Sequence, residues 1–378
     1  MTTNKINHLI DAYRRLRQQA EPLVLASIIE TRGSTYQKAG ARMLIARNGE
    51  MTGLLGGGCF ENDLLEQARS VFETGQAKTL FYDMRAPDDV IWGLGLGCNG
   101  AVKILLQLLR PEQDFSPLNL FVEAADGDAT GVLVTFYESG HPDYLAGSSV
   151  FLPASTIDHT RTLTTDASRF QPTAEQALLQ LKPHHETHRI DGHRVQAFYA
   201  PIRPPSRLLV VGAGADAQPL VQYAASLGWR VSVVDYRPNH IKHERFSEAQ
   251  RLMLLTPHEL NAKLALNRFD AMVLMTHNFD YDRRYLQQIA GSSIPFIGLL
   301  GPALRRDMLL KSLGTEAEKI RDRVYGPVGL DIGAQNPEEI ALSIMSGIHA
   351  ALNRCDGGQL DRKTVAAADQ QSDDCFVC

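Results

Sequence analysis

Two cysteines stand in glycine-rich settings. Cys59 follows Gly56-Gly57-Gly58 and precedes Phe60-Glu61, and Cys98 lies inside Gly93-Leu94-Gly95-Leu96-Gly97-Cys98-Asn99-Gly100. Glycine beside a thiol removes side-chain bulk, so a large flat ligand can reach both the sulfur and the backbone amides. A helix start also favours the thiolate. The competing reading makes each cysteine a small buried apolar residue beside a turn, and the residues alone weigh the two evenly. A third glycine stretch, Gly212-Ala213-Gly214-Ala215-Asp216-Ala217, directly follows the apolar run Arg207 to Val211. Its first glycine permits a tight turn, its second admits a pyrophosphate, and the small residue at 217 lets a helix pack on the strand. Asp235 ends the next apolar run, where a carboxylate accepts hydrogen bonds from a ribose. Arg237 leaves open whether that ribose is phosphorylated. A glycine turn kept only for packing is the alternative; strand, helix, strand and terminal acid in register favour a nucleotide.

Other groups carry weaker signals. His277, with Asp280 and Asp282, follows the apolar run Ala271 to Met275, at a strand end where open α/β sheets place ligands. It reads equally as a ligand-orienting or acid/base group and as a hydrogen-bonded loop histidine. His184, His185, His188 and His193 read as a solvated polar loop, because no spacing organises them around a metal. Arg305, Arg306, Lys311, Arg321 and Arg323 form a basic region that reads first as a solvated helix face, and second as a contact for an anionic ligand or an acidic partner. Between residues 1 and 352 the cysteines lack the paired CxxC spacing of a closed zinc site.

The elements that must position these groups follow from periodicity. Ile6, Leu9, Ile10, Tyr13 and Leu16 share one helical face, and Pro22 ends that helix. Leu23 to Ile29 reads as a buried strand. Arg42 to Ala46 and Met51 to Leu55 flank Asn48-Gly49, a hairpin signal in which both central residues take positive φ. Leu64, Leu65, Ala68 and Phe72 line a helix after Cys59. Thr79 to Tyr82 and Val102 to Leu109 read as strands, as do Gly131 to Phe136 and Val195 to Tyr199 within a less legible region. Pro201, Pro204 and Pro205 make a stiff linker. Beyond it, strands at Arg207 to Val211, Arg230 to Val234, Arg251 to Leu255, Ala271 to Met275 and Pro295 to Leu299 alternate with helices. Asn336-Pro337-Glu338-Glu339 is a capped helix start. The fold class is therefore α/β: an N-terminal α/β domain over 1–200, then a Rossmann-like doubly wound parallel sheet over 206–352. Residues 355–378 read as a disordered tail, and the closing Cys375-Phe376-Val377-Cys378 matches a CxxC and a prenylation box only weakly.

Composition narrows the class. A net charge of −5 over 378 residues argues against non-specific nucleic-acid binding. No apolar run has membrane-spanning length, and the first twenty residues lack a signal-peptide core. Five cysteines, an odd number in so long a chain, point away from a disulfide framework and toward a reducing cytoplasm.

With these residues in hand, the chain resembles the XdhC/CoxI family, the xanthine dehydrogenase accessory proteins. The matching stretches are Gly33-Ser34, Gly40-Ala41-Arg42-Met43-Leu44, Gly53, Gly57-Gly58-Cys59-Phe60-Glu61 and Gly95-Leu96-Gly97-Cys98-Asn99-Gly100. In the second half they are Gly212-Ala213-Gly214, Val234-Asp235-Tyr236-Arg237-Pro238, Met275-Thr276-His277, Ile297-Gly298-Leu299-Leu300-Gly301 and Asp331-Ile332-Gly333-Ala334. The family's first loop often reads Gly-Ser-x-Pro-Arg, whereas Tyr36 and Gln37 stand here, so Lys38, Arg32 or Arg42 would have to replace an arginine that touches phosphate. Asn99 stands where glycine is common.

The resemblance implies a maturation factor that binds molybdenum cofactor, as molybdopterin or its dinucleotide. It implies help with sulfuration by a cysteine desulfurase and delivery to an apo-molybdoenzyme of the xanthine dehydrogenase class; it also allows a homodimer. It places Gly57, Gly58, Cys59, Glu61 and Cys98, with Gly212, Gly214, Asp235, Arg237 and His277, around the cofactor in a cleft between the domains. Cys59 and Cys98 would lie nearest the metal, since soft molybdenum favours a thiolate neighbour. Two other readings stay open. The dinucleotide fingerprint suggests an NAD(P)-dependent oxidoreductase, and Cys59 with Cys98 suggests a thiol redox protein.

Overall fold

The structure, a computed structural model, describes residues 3–58, 60–84, 100–126, 129–154 and 167–359. Two compact units divide the chain between Pro204 and Pro205.

The N-terminal unit contains two antiparallel sheets. The first has five strands: β1 (Leu23–Gly33), β2 (Arg42–Ala46), β3 (Met51–Gly53), β4 (Lys78–Asp83) and β5 (Gly100–Leu109), in the order β3-β2-β1-β5-β4. The alternation of strand side chains gives this sheet two buried faces. Leu23 and Leu25 pack with Leu44 and Leu109 under Leu9, Tyr13 and Leu16 of the helix Thr3–Arg17, with Phe121 of the helix Leu118–Asp126 beside them. Val24, Ala26 and Ile28 point the other way and pack with Ile45, Ile104 and Leu106 against Leu64, Ala68 and Val71 of the helix Glu61–Thr74. The β2–β3 hairpin forms where expected, but by a different turn. Gly49 has φ +89° while Asn48 stays at negative φ. Asn48 instead accepts from the Glu50 amide through its side chain at 2.9 Å, a longer loop that needs only one left-handed residue.

The second sheet has four strands, β6 (Gly131–Ser139), β7 (Ser149–Pro153), β8 (His184–Ile190) and β9 (His193–Ile202), in the order β7-β6-β9-β8. Phe136, Val195, Ala197 and Tyr199 pack against Ala174 and Ala177 of the helix Gln171–Gln180. This corrects the reading of His184, His185, His188 and His193 as a loop. They belong to a hairpin turned at Asp191-Gly192, where Gly192 has φ +83°. Polar side chains hide the strand, because the rings it packs on come from other elements: Phe170 meets His188, while Tyr137 and Phe198 meet His185. The ring of His188 hydrogen-bonds the Tyr199 hydroxyl at 2.6 Å and sits edge-on to Phe170.

The C-terminal unit is a parallel six-stranded sheet: β10 (Arg207–Val211), β11 (Arg230–Asp235), β12 (Arg251–Leu254), β13 (Ala271–Leu274), β14 (Phe296–Leu299) and β15 (Val324–Tyr325). The order β12-β11-β10-β13-β14-β15 puts the central strand β10 between β11 and β13. Near-continuous apolar strands are needed because both faces are covered. Helices Ala217–Ser226 and Pro337–Leu352 cover one face, and Phe279–Ile289 and Ala303–Leu313 cover the other. The doubly wound arrangement expected from the sequence is thus present, with strand ends within a residue or two of expectation.

The helix Pro337–Leu352 starts with a full capping box: Asn336 accepts from the Glu339 amide at 2.9 Å and Glu339 reaches back to the Asn336 amide. Asn336→Ala removes the side-chain half of that box. We expect it to destabilise the C-terminal unit by about 1 kcal/mol, read as a lower midpoint in thermal or urea unfolding with no change in sheet content.

Candidate functional site

The glycine turn after β10 is shaped by three constraints. The Gly212 amide donates to the Val234 carbonyl at 2.8 Å, and its φ is +116°. A Cβ at Gly212 would run into the Met275 carbonyl, so the ends of β10 and β13 approach more closely than any side chain allows. A Cβ at Gly214 would meet the Asp216 carboxylate. The amides of Gly214 and Ala215 have no hydrogen-bond acceptor among the described residues.

Asp235 is where the sequence placed it, at the carboxyl end of β11, but its partners are protein groups. Its side chain is fully buried, at 0% exposure. Oδ2 accepts from the Ala213 amide at 2.7 Å and from Arg237 Nη2 at 2.7 Å. Oδ1 accepts from the Arg237 amide at 2.8 Å and Arg237 Nε at 2.9 Å. Burial alone would raise the Asp235 carboxyl; the Arg237 hydrogen bonds and charge, with the two amides, outweigh it and hold the group below the ordinary carboxylate value. Arg237 is raised in turn, chiefly by the same hydrogen bonds. In this arrangement Asp235 ties β10's turn to β11 rather than facing a ribose, and the Nε–Nη2 edge of Arg237 is taken up by that carboxylate.

His277 is exposed and holds a left-handed backbone, φ +60°, rare for a residue with a Cβ. Its Nε2 lies 2.7 Å from Asp216 Oδ2, at the start of the helix Ala217–Ser226. Sequence reasoning misses the role of Asp216: its place in the glycine turn is visible there, its partner is not. The two carboxylates grouped with His277 go elsewhere. Asp280 is exposed and pairs with Arg283 and Arg284. Asp282 is buried, accepts from Thr276 Oγ1 at 2.5 Å and pairs with Arg305 at 2.7 Å. Much of the basic region is also engaged: Arg306 bonds the Gly326 carbonyl, Arg323 the Ile294 and Lys319 carbonyls, and Arg321 pairs with Glu318.

In the N-terminal unit Glu61 performs a similar task. Its carboxylate accepts from the Gly56 amide at 2.9 Å and the Phe60 amide at 3.3 Å, closing the turn at the helix start. Gly57 and Gly58 stay exposed, and the direction of a Cβ on Gly58 is open, with no atom within 4 Å. Tyr36 lies over Gly57: its ring is 3.7 Å from a Cβ built there, and the residue is 47% exposed. The same loop touches the other glycine stretch. A Cβ on Gly100 would run into the Ser34 carbonyl and the Thr35 methyl, and Gly33 pairs with Gly100 at the end of β1. The residues flanking both glycine–cysteine stretches therefore meet one loop, Gly33 to Gln37. Cys59 and Cys98 themselves lie outside the described residues, as do Cys375 and Cys378. Among the described residues no group of three or more His, Cys, Asp or Glu is placed to hold a metal.

Of the cations that could replace a loop arginine, Arg42 turns inward. It is buried over the Phe121 ring, bonds the Gly40 carbonyl at 3.0 Å, and burial pulls it down to about 10. Arg32 pairs with Glu30, whereas Lys38 is exposed.

Comparison with known proteins gives a consistent set of likenesses. Residues 208–348 match the XdhC Rossmann domain model, and residues 16–83 match the XdhC and CoxI family model. A probable xanthine dehydrogenase component of Bacillus subtilis is 32% identical over 339 residues, covering 88% of this chain and 94% of the relative. The molybdenum cofactor insertion chaperone PaoD of Escherichia coli is 22% identical over 329 residues, covering 86% of this chain and 82% of that protein. Among solved structures, a xanthine dehydrogenase from Bacillus halodurans superposes with a TM-score of 0.71 at 27% identity, covering 97% of this chain and 98% of that one.

The buried Asp235–Arg237 pair has a pH signature. The folded carboxyl is held below its unfolded value, so its contribution is present above the unfolded pKa and lost as pH falls through the folded one. Asp235→Asn is expected to lower stability at pH 7 by about 3 kcal/mol, the usual cost of breaking a buried pair. The gap from wild type should close in acid, below about pH 4. Unfolding midpoints measured from pH 7 downward check this; a gap that does not narrow contradicts the assignment.

Proposed function

Because the chain belongs to the XdhC and CoxI family, we propose that it is an accessory factor that binds molybdenum cofactor and delivers it to an apo-molybdoenzyme of the xanthine dehydrogenase class. One observation carries the reading: a single loop meets the flanks of both glycine–cysteine stretches, and Gly57 and Gly58 beside it are uncovered. A flat pterin suits such a place, since an exposed tyrosine face and side-chain-free backbone lie together there. The likeness to PaoD, a molybdenum cofactor insertion chaperone, supports the same conclusion.

The residues assigned to the cofactor in the N-terminal unit are Gly57, Gly58, Cys59 and Cys98, with Glu61 keeping the turn in shape. Lys38, exposed at the edge of the Gly33 to Gly40 loop, is the cation best placed to replace the family's arginine. The cysteine thiolates would neighbour soft molybdenum or the sulfur delivered to it. In the C-terminal unit the Gly214 and Ala215 amides are the groups free to bind an anion, Gly212 permits the turn, and Asp235 and Arg237 hold it. His277, turned toward Asp216, is assigned to orienting a ligand at that turn. Once delivered, the cofactor supplies the redox-active metal of the target enzyme; the chain's own residues bind, orient and release. A cysteine desulfurase is the proposed sulfur donor.

The test is anaerobic purification after co-expression with the cofactor pathway, followed by molybdenum analysis and fluorescence of the released, oxidised pterin. Wild-type chain should carry both, and should capture the apo-enzyme in a pulldown. Cys59→Ala is expected to lower cofactor retention on the order of tenfold while leaving the unfolding midpoint in place. Equal retention and equal activation of the partner enzyme would remove Cys59 from the site.

A further inference from the structure

A Rossmann sheet holds a dinucleotide by two features at the strand ends beside its glycine turn: an acid that accepts from the ribose, and a slot for the base. Both places are filled here by the chain itself. At the end of β11, Asp235 is fully buried and each of its oxygens already takes two donors, from the Ala213 amide and from the Arg237 amide and guanidinium. Next to it, Tyr236 stacks on Tyr281 of the helix Phe279–Ile289 with ring centroids 3.5 Å apart and planes 7° from parallel. Those rings bridge the elements that follow β11 and β13, the two strands flanking β10. Arg237 lies over the Tyr236 ring at 5.3 Å and Arg284 over the Tyr281 ring at 5.9 Å, so each ring of the stack also carries a cation.

We propose that Arg237 is a specificity-determining residue that closes the nucleoside subsite of this Rossmann unit, so that the unit rejects NAD(H) and NADP(H). For a ribose to reach Asp235, the guanidinium must leave a buried carboxylate and the base must push the stacked tyrosine rings apart. A 2′-phosphate meets the same obstacle: the Nε–Nη2 edge of Arg237 is already bonded to Asp235, and the buried carboxylate beside it repels an anion. The crevice is left for a ligand with no ribose at β11. This goes beyond the accessory function and does not depend on it.

Nicotinamide fluorescence of NADH titrated with the full-length chain provides the test, because it involves no molybdenum cofactor and fails independently of the accessory reading. Wild type should show no saturable binding of NADH or NADPH. Arg237→Gly exposes the Asp235 oxygens and should gain NADH binding by about tenfold or more, since a site that hydrogen-bonds a hydroxyl discriminates strongly. Adding Asp235→Asn to that variant should abolish the gain. If Arg237→Gly loses its cooperative unfolding transition, Arg237→Gln, which keeps one donor on the carboxylate, takes its place. Saturable NADH binding by wild type, no gain in the folded variant, or a gain that survives Asp235→Asn would each overturn the proposal.

Discussion

A single buried carboxylate organises the carboxyl edge of the parallel sheet. Asp235 has no contact with solvent, and it must be ionised to accept four donors. A charge so placed is tolerated only when every lone pair is met, and here the donors come from the glycine turn and from Arg237. The consequence is geometric. The turn after β10, the end of β11 and the conformation of Arg237 are one unit, and Gly212 must be glycine because the same constraint presses the turn against the Met275 carbonyl.

The N-terminal unit repeats this device on an unrelated backbone. Glu61 turns back over its own helix start and takes the amides of Gly56 and Phe60. In both units an acidic residue beside a glycine turn serves the turn, which leaves neighbouring glycines and amides as the surfaces a ligand could use. That division explains why Gly57, Gly58, Gly214 and Ala215 are open while the carboxylates next to them are not. It also accords with an accessory protein of the XdhC and CoxI family, whose proposed task is to hold a cofactor and let it go rather than transform it.

Polar networks elsewhere are equally self-contained. Thr276, Asp282 and Arg305 join the ends of β13 and β14, and Asp216 with His277 spans the gap between β10 and β13. The left-handed backbone at His277 is a local cost in energy that its surroundings sustain.

The periodic features were legible from the residues. Apolar strands of the parallel sheet, the helix over Leu9 to Leu16, the hairpin at Gly49 and the cap at Asn336 follow from nearest-neighbour chemistry that a chain carries in its own order. Strand β8 was not legible, because His184, His185 and His188 are polar and the partners of His188, Phe170 and Tyr199, come from other elements. Nor could the sequence show that Arg42 turns inward onto Phe121 while Lys38 stays in water. The presence of Asp235, Arg237, Asp216 and His277 was determined by the sequence; which of them would meet was decided only by folding. Charged side chains have no period, and His277 finds Asp216 across 61 residues solely because β10 and β13 lie side by side.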